Sequence, residues 1–117
     1  MKLPPQDIPA VQAHRVPVPV PPDLLVLDVR EDDEWRAGHI DGAMHVPLSQ
    51  LPQRVEEIAS PGGRVLAVCR VGARSAQATM FLRRHGRDVV NLDGGMHAWS
   101  SAGRPMVSET GRPPEVV

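Results

Sequence analysis

Apolar and polar positions alternate along this chain in short blocks. Leu24-Leu25-Val26-Leu27 and Val65-Leu66-Ala67-Val68 are continuous apolar runs, and Val89-Val90-Asn91-Leu92 is a third with one polar interruption. Runs of this length closed by turn residues read as strands buried on both faces. Ala43 to Val46 is a shorter strand candidate. Between the runs the spacing becomes helical. Glu31 to Ala37 predicts a short helix with acids in its first turn and Gly38 beyond its end. Ser49 is placed as the N-cap of a helix on which Leu51, Val55 and Ile58 recur at helical spacing, before the break Ser60-Pro61-Gly62-Gly63. Ser75 to His85 is a helix stopped by Gly86, with Ala78, Phe81 and Leu82 toward the core and Arg83, Arg84 and Arg87 in water. Met96 to Ala102 is a final short helix after the Gly94-Gly95 turn. Strands alternating with helices imply an α/β fold in three layers: a mostly parallel central sheet with helices on both faces.

The two ends of the chain follow other rules. Seven of the 13 prolines lie at or before Pro22. Each proline fixes φ and lacks an N–H donor, so Val16 to Pro22 cannot be helical. Residues 1–22 therefore read as a peripheral segment, with an edge strand near Ile8 to Val11 and then an extended proline-rich connection. Residues 23–105 form the domain, and 106–117 read as a flexible tail.

Composition narrows the function. A length of 117 residues, 41% hydrophobic and 23% charged, fits one globular domain with one modest core. The formal net charge of -1 offers no basic excess for nucleic acid, so any anion site must be local. No apolar run approaches the roughly 20 residues needed to cross a bilayer. The opening residues Met1 to Asp7 carry no apolar segment of signal-peptide length, and a cytoplasmic location is the expectation. The single cysteine excludes an internal disulfide and a cysteine-cluster metal site. The histidines at 14, 39, 45, 85 and 97 show no ligand spacing, so no metal is expected.

Ligands of open parallel sheets bind beyond the carboxyl ends of the strands. Asp28 and Cys69 both fall at such ends. The segment Cys69-Arg70-Val71-Gly72-Ala73-Arg74-Ser75 leaves a buried strand and opens a helix. Helix N-termini present unpaired N–H groups and partial positive charge. Gly72 allows the backbone to curl so that the amides converge, and Arg70 and Arg74 add two permanent cations. Such a setting favours the thiolate of Cys69 and also cradles an anion, so nucleophile and binding site are one structure. A lone cysteine at a strand end is more often an inert core residue; the arginines, the glycine and the following helix weigh against that here. Asp28 and Arg30 support the site, either lining the pocket or, more in keeping with ion pairs at strand ends, bracing the loops. The acids Glu31 to Glu34 read as a solvated helix start. Trp35 and Trp99 read as packing at the core edge, and His39 as bonded to a neighbouring loop.

The loop from Cys69 to Ser75 resembles the active-site loop of the rhodanese family. So do Leu27-Asp28-Val29-Arg30 with Glu34-Trp35, Gly38-His39-Ile40-Asp41-Gly42-Ala43 leading to Val46-Pro47, and Leu92-Asp93-Gly94-Gly95 with Ala98-Trp99. These four ordered motifs span about residues 24 to 105. The resemblance implies a rhodanese-like α/β fold and a sulfurtransferase that forms a persulfide on Cys69. The implied donor is a small sulfur anion such as thiosulfate. The acceptor is cyanide or a thiol, including a protein thiol, and no cofactor is needed beyond the covalent persulfide. A persulfide relay or binding module for a partner protein carries the same motifs. Cysteine phosphatases and arsenate reductases use a related loop, but place the arginine one position further along than Arg74. The loop here holds no acid to protonate a leaving alcohol.

Overall fold

The apolar runs form adjacent strands of one sheet, and both faces of that sheet are covered. The computed structural model describes residues 8–59 and 62–117. Residues 1–7 of the peripheral segment, and Ser60-Pro61 of the expected break, lie outside the described residues. The strands are β1 (Ala10–Gln12), β2 (Leu24–Asp28), β3 (Met44–His45), β4 (Arg64–Val68) and β5 (Asp88–Asp93), in the order β1-β5-β4-β2-β3. Every pairing is parallel, and Leu27, Ala67 and Asn91 stand side by side across β2, β4 and β5. β1 overlaps the expected edge strand and pairs with β5.

Successive side chains of a strand point to opposite faces. On one face Leu27, Val65, Ala67 and Val89 pack with Cys69, with Leu51, Val55 and Ile58, and with Ala78 and Leu82 of helix α2 (Ala73–Arg84). On the other, Val26, Leu66, Val68 and Leu92 pack with Ala13, Val16, and with Met96 and Trp99 of helix α3 (Gly95–Ser101). This double burial is why the strands have continuous apolar centres, broken in β5 by Asn91. A short helix α1 (Asp32–Ala37) follows β2 and buries none of its residues fully.

Several details depart from the sequence reading. The helix expected after Ser49 is two 3-10 turns, Leu48–Gln53 and Val55–Glu57, with Pro52 inside the first. The turn begins at Leu48, and an α-helix begun there would set the Pro52 ring against the Leu48 carbonyl. Ser49 consequently lies within the turn and caps nothing, although Leu51, Val55 and Ile58 still reach the core. Arg87, expected in water, donates from Nε to Ile58 O at 2.9 Å and from Nη2 to Val55 O at 3.1 Å, tying those turns to the end of α2. Trp99 is fully buried rather than at the core edge, and its Nε1–H donates to Pro105 O at 2.9 Å. Trp35 is half-buried and stacks between His39 and His45, with centroids 3.5 and 4.8 Å away. His39 Nδ1 bonds Trp35 O within the same segment at 2.8 Å, while the neighbouring segment is met by the His39 backbone, which exchanges hydrogen bonds with Val107, and by Nε2, 3.8 Å from Glu109 Oε1.

Residues 106–117, read from the sequence as a flexible tail, lie against the domain. Val107 and His39 exchange backbone hydrogen bonds, while Glu109 and Glu115 N–H donate to Arg36 O and Ala37 O, each at 2.9 Å. The last carbonyls of a helix have no partner inside it, and the C-terminal segment supplies donors for those of α1. Among the described residues no helix is long and apolar enough to cross a membrane.

At the end of β2, Asp28 and Arg30 form a buried pair. Arg30 Nη2 donates to Asp28 Oδ2 at 2.8 Å and to Gly38 O at 2.7 Å, and Arg30 Nε donates to Asp28 Oδ1 at 3.0 Å. Both side chains are essentially out of solvent. Arg30→Met would leave the carboxylate uncompensated, and urea unfolding is expected to show a loss of about 3–5 kcal/mol. A loss under about 1 kcal/mol would mean that water reaches Asp28 and that the pair is no brace.

Candidate active site

Cys69 follows β4 directly, and two helices determine how the next residues run. Gly95, at φ +58°, lies so close to the loop that a Cβ there would overlap Cys69 O and approach Arg70 O to 2.6 Å. That proximity lets Met96 N–H donate to Cys69 O at 2.8 Å and His97 N–H donate to Arg70 O at 2.9 Å. In a trans peptide the N–H points opposite to the C=O. The N–H groups of Arg70 and Val71 therefore point away from α3, to the side where α2 begins.

Gly72 turns the chain at φ +110°, a left-handed conformation that side chains disfavour. Its N–H donates to Cys69 Sγ at 3.1 Å, and its carbonyl accepts the Ala76 N–H at 3.0 Å, the first bond of α2. The helix starts at Ala73, two residues earlier than its expected start at Ser75. This places Ser75 in the first turn, fully buried, with its hydroxyl facing the sulfur. Ser75 Oγ stands 3.2 Å from Cys69 Sγ, 2.5 Å from Asn91 Oδ1 and 3.3 Å from Gly72 O. Asn91 Nδ2 donates to Gly72 O at 3.1 Å. Asn91 was absent from the site expected from the sequence. Its one signal is that it interrupts the apolar run from Val89 to Leu92.

The two loop arginines are both engaged. Arg74 donates from Nη1 and Nη2 to the two carboxylate oxygens of Glu34 at 2.7 and 2.8 Å. Glu34 Oε1 also accepts the backbone N–H of Glu31 at 3.0 Å, capping α1. Glu34 is thus no solvated helix start: its side chain is 14% exposed. The Arg74 hydrogen bonds, helped by the Glu31 N–H and the positive charges of Arg74 and Arg30, hold its carboxyl down at about 2 against the opposing effect of burial. The same bonds keep the Arg74 guanidinium charged, its pKa raised above the ordinary arginine value. Arg70 is exposed, with Nε donating to Val117 O at 3.1 Å. Val71 and Ala73 are exposed on the rim, Val71 at 54%.

The structure thus gathers Cys69, Gly72 and Ser75 around one sulfur, with Asn91 behind Ser75. Arg74 is turned to Glu34, and Arg70 sits outside. Asp28 and Arg30 are buried beside the loop, where Val29 N–H donates to Val68 O at 3.0 Å. Among the described residues no cluster of His, Cys, Asp and Glu is arranged for a metal ion. The arrangement holds the Cys69 sulfur against the Gly72 N–H, with Val71 and Ala73 exposed on the rim of the loop.

Residues 19–102 match the family model described as Rhodanese-like domain. The chain is 41% identical over 91 residues to a protein of Allochromatium vinosum named Sulfurtransferase, covering 76% of this chain and 83% of the relative. A rhodanese-related protein from Thermoplasma volcanium has a similar structure, with a TM-score of 0.76 and 28% identity, covering 85% of this chain and 97% of that one. Thiosulfate sulfurtransferase from Pseudomonas aeruginosa aligns with a TM-score of 0.76 and 28% identity, covering 96% of this chain but 22% of that one.

The Glu34–Arg74 bond has a signature in pH. A carboxyl whose folded value lies below its ordinary 4.5 stabilises the fold fully above that value, and loses the effect as pH falls toward about 2. Wild type is expected to be more stable than Glu34→Gln in urea at neutral pH, with the gap closing between these limits. A gap that does not change with pH would mean that the bond contributes nothing through charge.

Proposed function

Because this chain belongs to the rhodanese-like domain family, we propose that it is a sulfurtransferase that carries sulfur as a persulfide on Cys69. The observation that carries this reading is the placement of Cys69 Sγ, at a strand's carboxyl end, receiving the Gly72 N–H at the head of α2. The Cys69 thiolate attacks the outer sulfur of an anionic donor such as thiosulfate. A bond forms between Sγ and that sulfur, the donor's S–S bond breaks, and the electron pair leaves with sulfite. The persulfide anion left behind lies among the N–H groups of residues 70 to 75, which suit a negative sulfur as they suit a negative donor. Cyanide or a thiolate then attacks the outer sulfur, the Cys69 persulfide bond breaks, and the thiolate returns. Nucleophile and leaving group supply this chemistry, so it calls for no cofactor.

Donor binding in this scheme relies on the loop amides of residues 70 to 75, since Glu34 already holds Arg74. The exposed Val71 and Ala73 give the rim an apolar, open edge, which suits a bulky acceptor such as a protein thiol better than cyanide alone. Phosphoryl transfer fits less well: the loop is one residue shorter than a phosphatase loop and supplies no acid for a leaving alcohol.

Incubation with thiosulfate followed by intact mass spectrometry is expected to show a gain of one sulfur atom, absent in Cys69→Ala. No gain in the wild type would remove the sulfur-transfer reading. A gain that is discharged to a protein thiol but not to cyanide would identify the acceptor as a protein.

A further inference from the structure

The Ser75 hydroxyl has one proton and three neighbours that can accept it. Gly72 O, 3.3 Å away, already receives Ala76 N–H and Asn91 Nδ2–H, one for each lone pair. That leaves Asn91 Oδ1 at 2.5 Å and Cys69 Sγ at 3.2 Å. The orientation of the Asn91 amide is not free. Gly72 O is purely an acceptor, so the amide must turn its Nδ2 to it and its Oδ1 to Ser75. Two oxygens 2.5 Å apart with no proton between them repel, and Asn91 Oδ1 has none to give. The Ser75 proton must therefore lie on the line to Asn91, and Ser75 Oγ presents a lone pair to the sulfur. A lone pair at that place suits a thiol, whose S–H donates to it, and opposes a thiolate.

We propose that Asn91 is a positioning residue for the chemistry of Cys69, acting through Ser75 by holding the hydroxyl proton away from the sulfur until the thiol ionises. The proposal rests on Cys69 being the reacting sulfur. When the thiol proton leaves to water, the Ser75 O–H bond stays intact but rotates toward Sγ. It then joins the Gly72 N–H as a second donor to the thiolate. The contact between Oγ and Oδ1, now without a proton, opens, and Asn91 withdraws while keeping its bond to Gly72. Returning to the thiol reverses each movement. Ser75 and Asn91 are both buried, at 0% and 7% exposure, so water does not substitute for either partner. The charged and titratable groups on the surrounding elements are Arg70 and Arg74 of the loop, Glu34 of α1, Asp28 and Arg30 at the end of β2, Asp93 of β5 and His97 of α3. None is altered by a change at Asn91.

Two measurements test this. In the wild type, the side-chain amide resonances of Asn91 should titrate with the midpoint seen in the pH profile of Cys69 alkylation by iodoacetamide, and should stay still in Cys69→Ala. Asn91→Leu frees the hydroxyl for the sulfur and should speed alkylation at neutral pH by about tenfold. Ser75→Ala should slow it, and Asn91→Leu should give no acceleration in the Ser75→Ala background, because the acceleration needs the Ser75 hydroxyl, whereas the lost Asn91 Nδ2–Gly72 O bond acts alike in both backgrounds. A slowing by Asn91→Leu that is the same with or without Ser75 would make Asn91 a structural prop and overturn the proposal. Stationary Asn91 resonances through the Cys69 titration would overturn it without any variant having to fold. Neither readout needs sulfur transfer, so failure to form a persulfide would count against the proposed function alone.

Discussion

The two hydrogen bonds from α3 to the carbonyls of Cys69 and Arg70 determine which way the active-site loop faces. With both carbonyls committed to Met96 and His97, the N–H groups of the same peptides have only the opposite side to point to. The parallel register makes this possible. β4 and β5 are neighbours, so the loop after β4 and the turn after β5 emerge side by side, and α3 begins directly behind Cys69. Gly95 permits the contact because any side chain would occupy the space of the loop backbone. The helix that follows the loop, α2, then brings Gly72 and Ser75 to the sulfur from the other side.

The electrostatics are more local than a loop with two arginines suggests. Glu34 takes one hydrogen bond from each terminal nitrogen of Arg74 and in the same step caps α1, so one carboxylate joins a helix start to the loop after β4. The backbone donor that meets the sulfur directly is the Gly72 N–H at the head of α2. The N–H groups of the loop are fixed in direction by α3 and α2, and they need no reorganisation when charge develops. Behind them, the uncharged pair Ser75 and Asn91 has a single proton to distribute between sulfur and amide.

The backbone around the site is held from outside as well. The Asp28–Arg30 pair joins the end of β2 to Gly38, and the segment from Val107 to Glu115 satisfies the last carbonyls of α1. These contacts keep α1, and with it Glu34, at a set distance from the loop.

Much of this was legible from residue order. Continuous apolar runs at Leu24, Val65 and Val89 predicted strands buried on both faces, because only a sheet covered on two sides leaves no polar alternation. A cysteine after such a run and before a glycine turn reads as standing at a helix head, and Cys69 lies between β4 and α2. Leu51, Val55 and Ile58 have helical spacing, but Pro52 stands among them, and two 3-10 turns satisfy the same burial. The order of residues alone determined the layer architecture and the place of Cys69 between a buried strand and a helix, since both follow from local periodicity and turn chemistry. Only the tertiary structure decided that Glu34 grips Arg74 across 40 positions, that Asn91 stands behind Ser75, and that residues 106–117 line α1. Those pairings depend on strand order and register, and hydrogen bonds between distant segments leave no periodic trace along the chain.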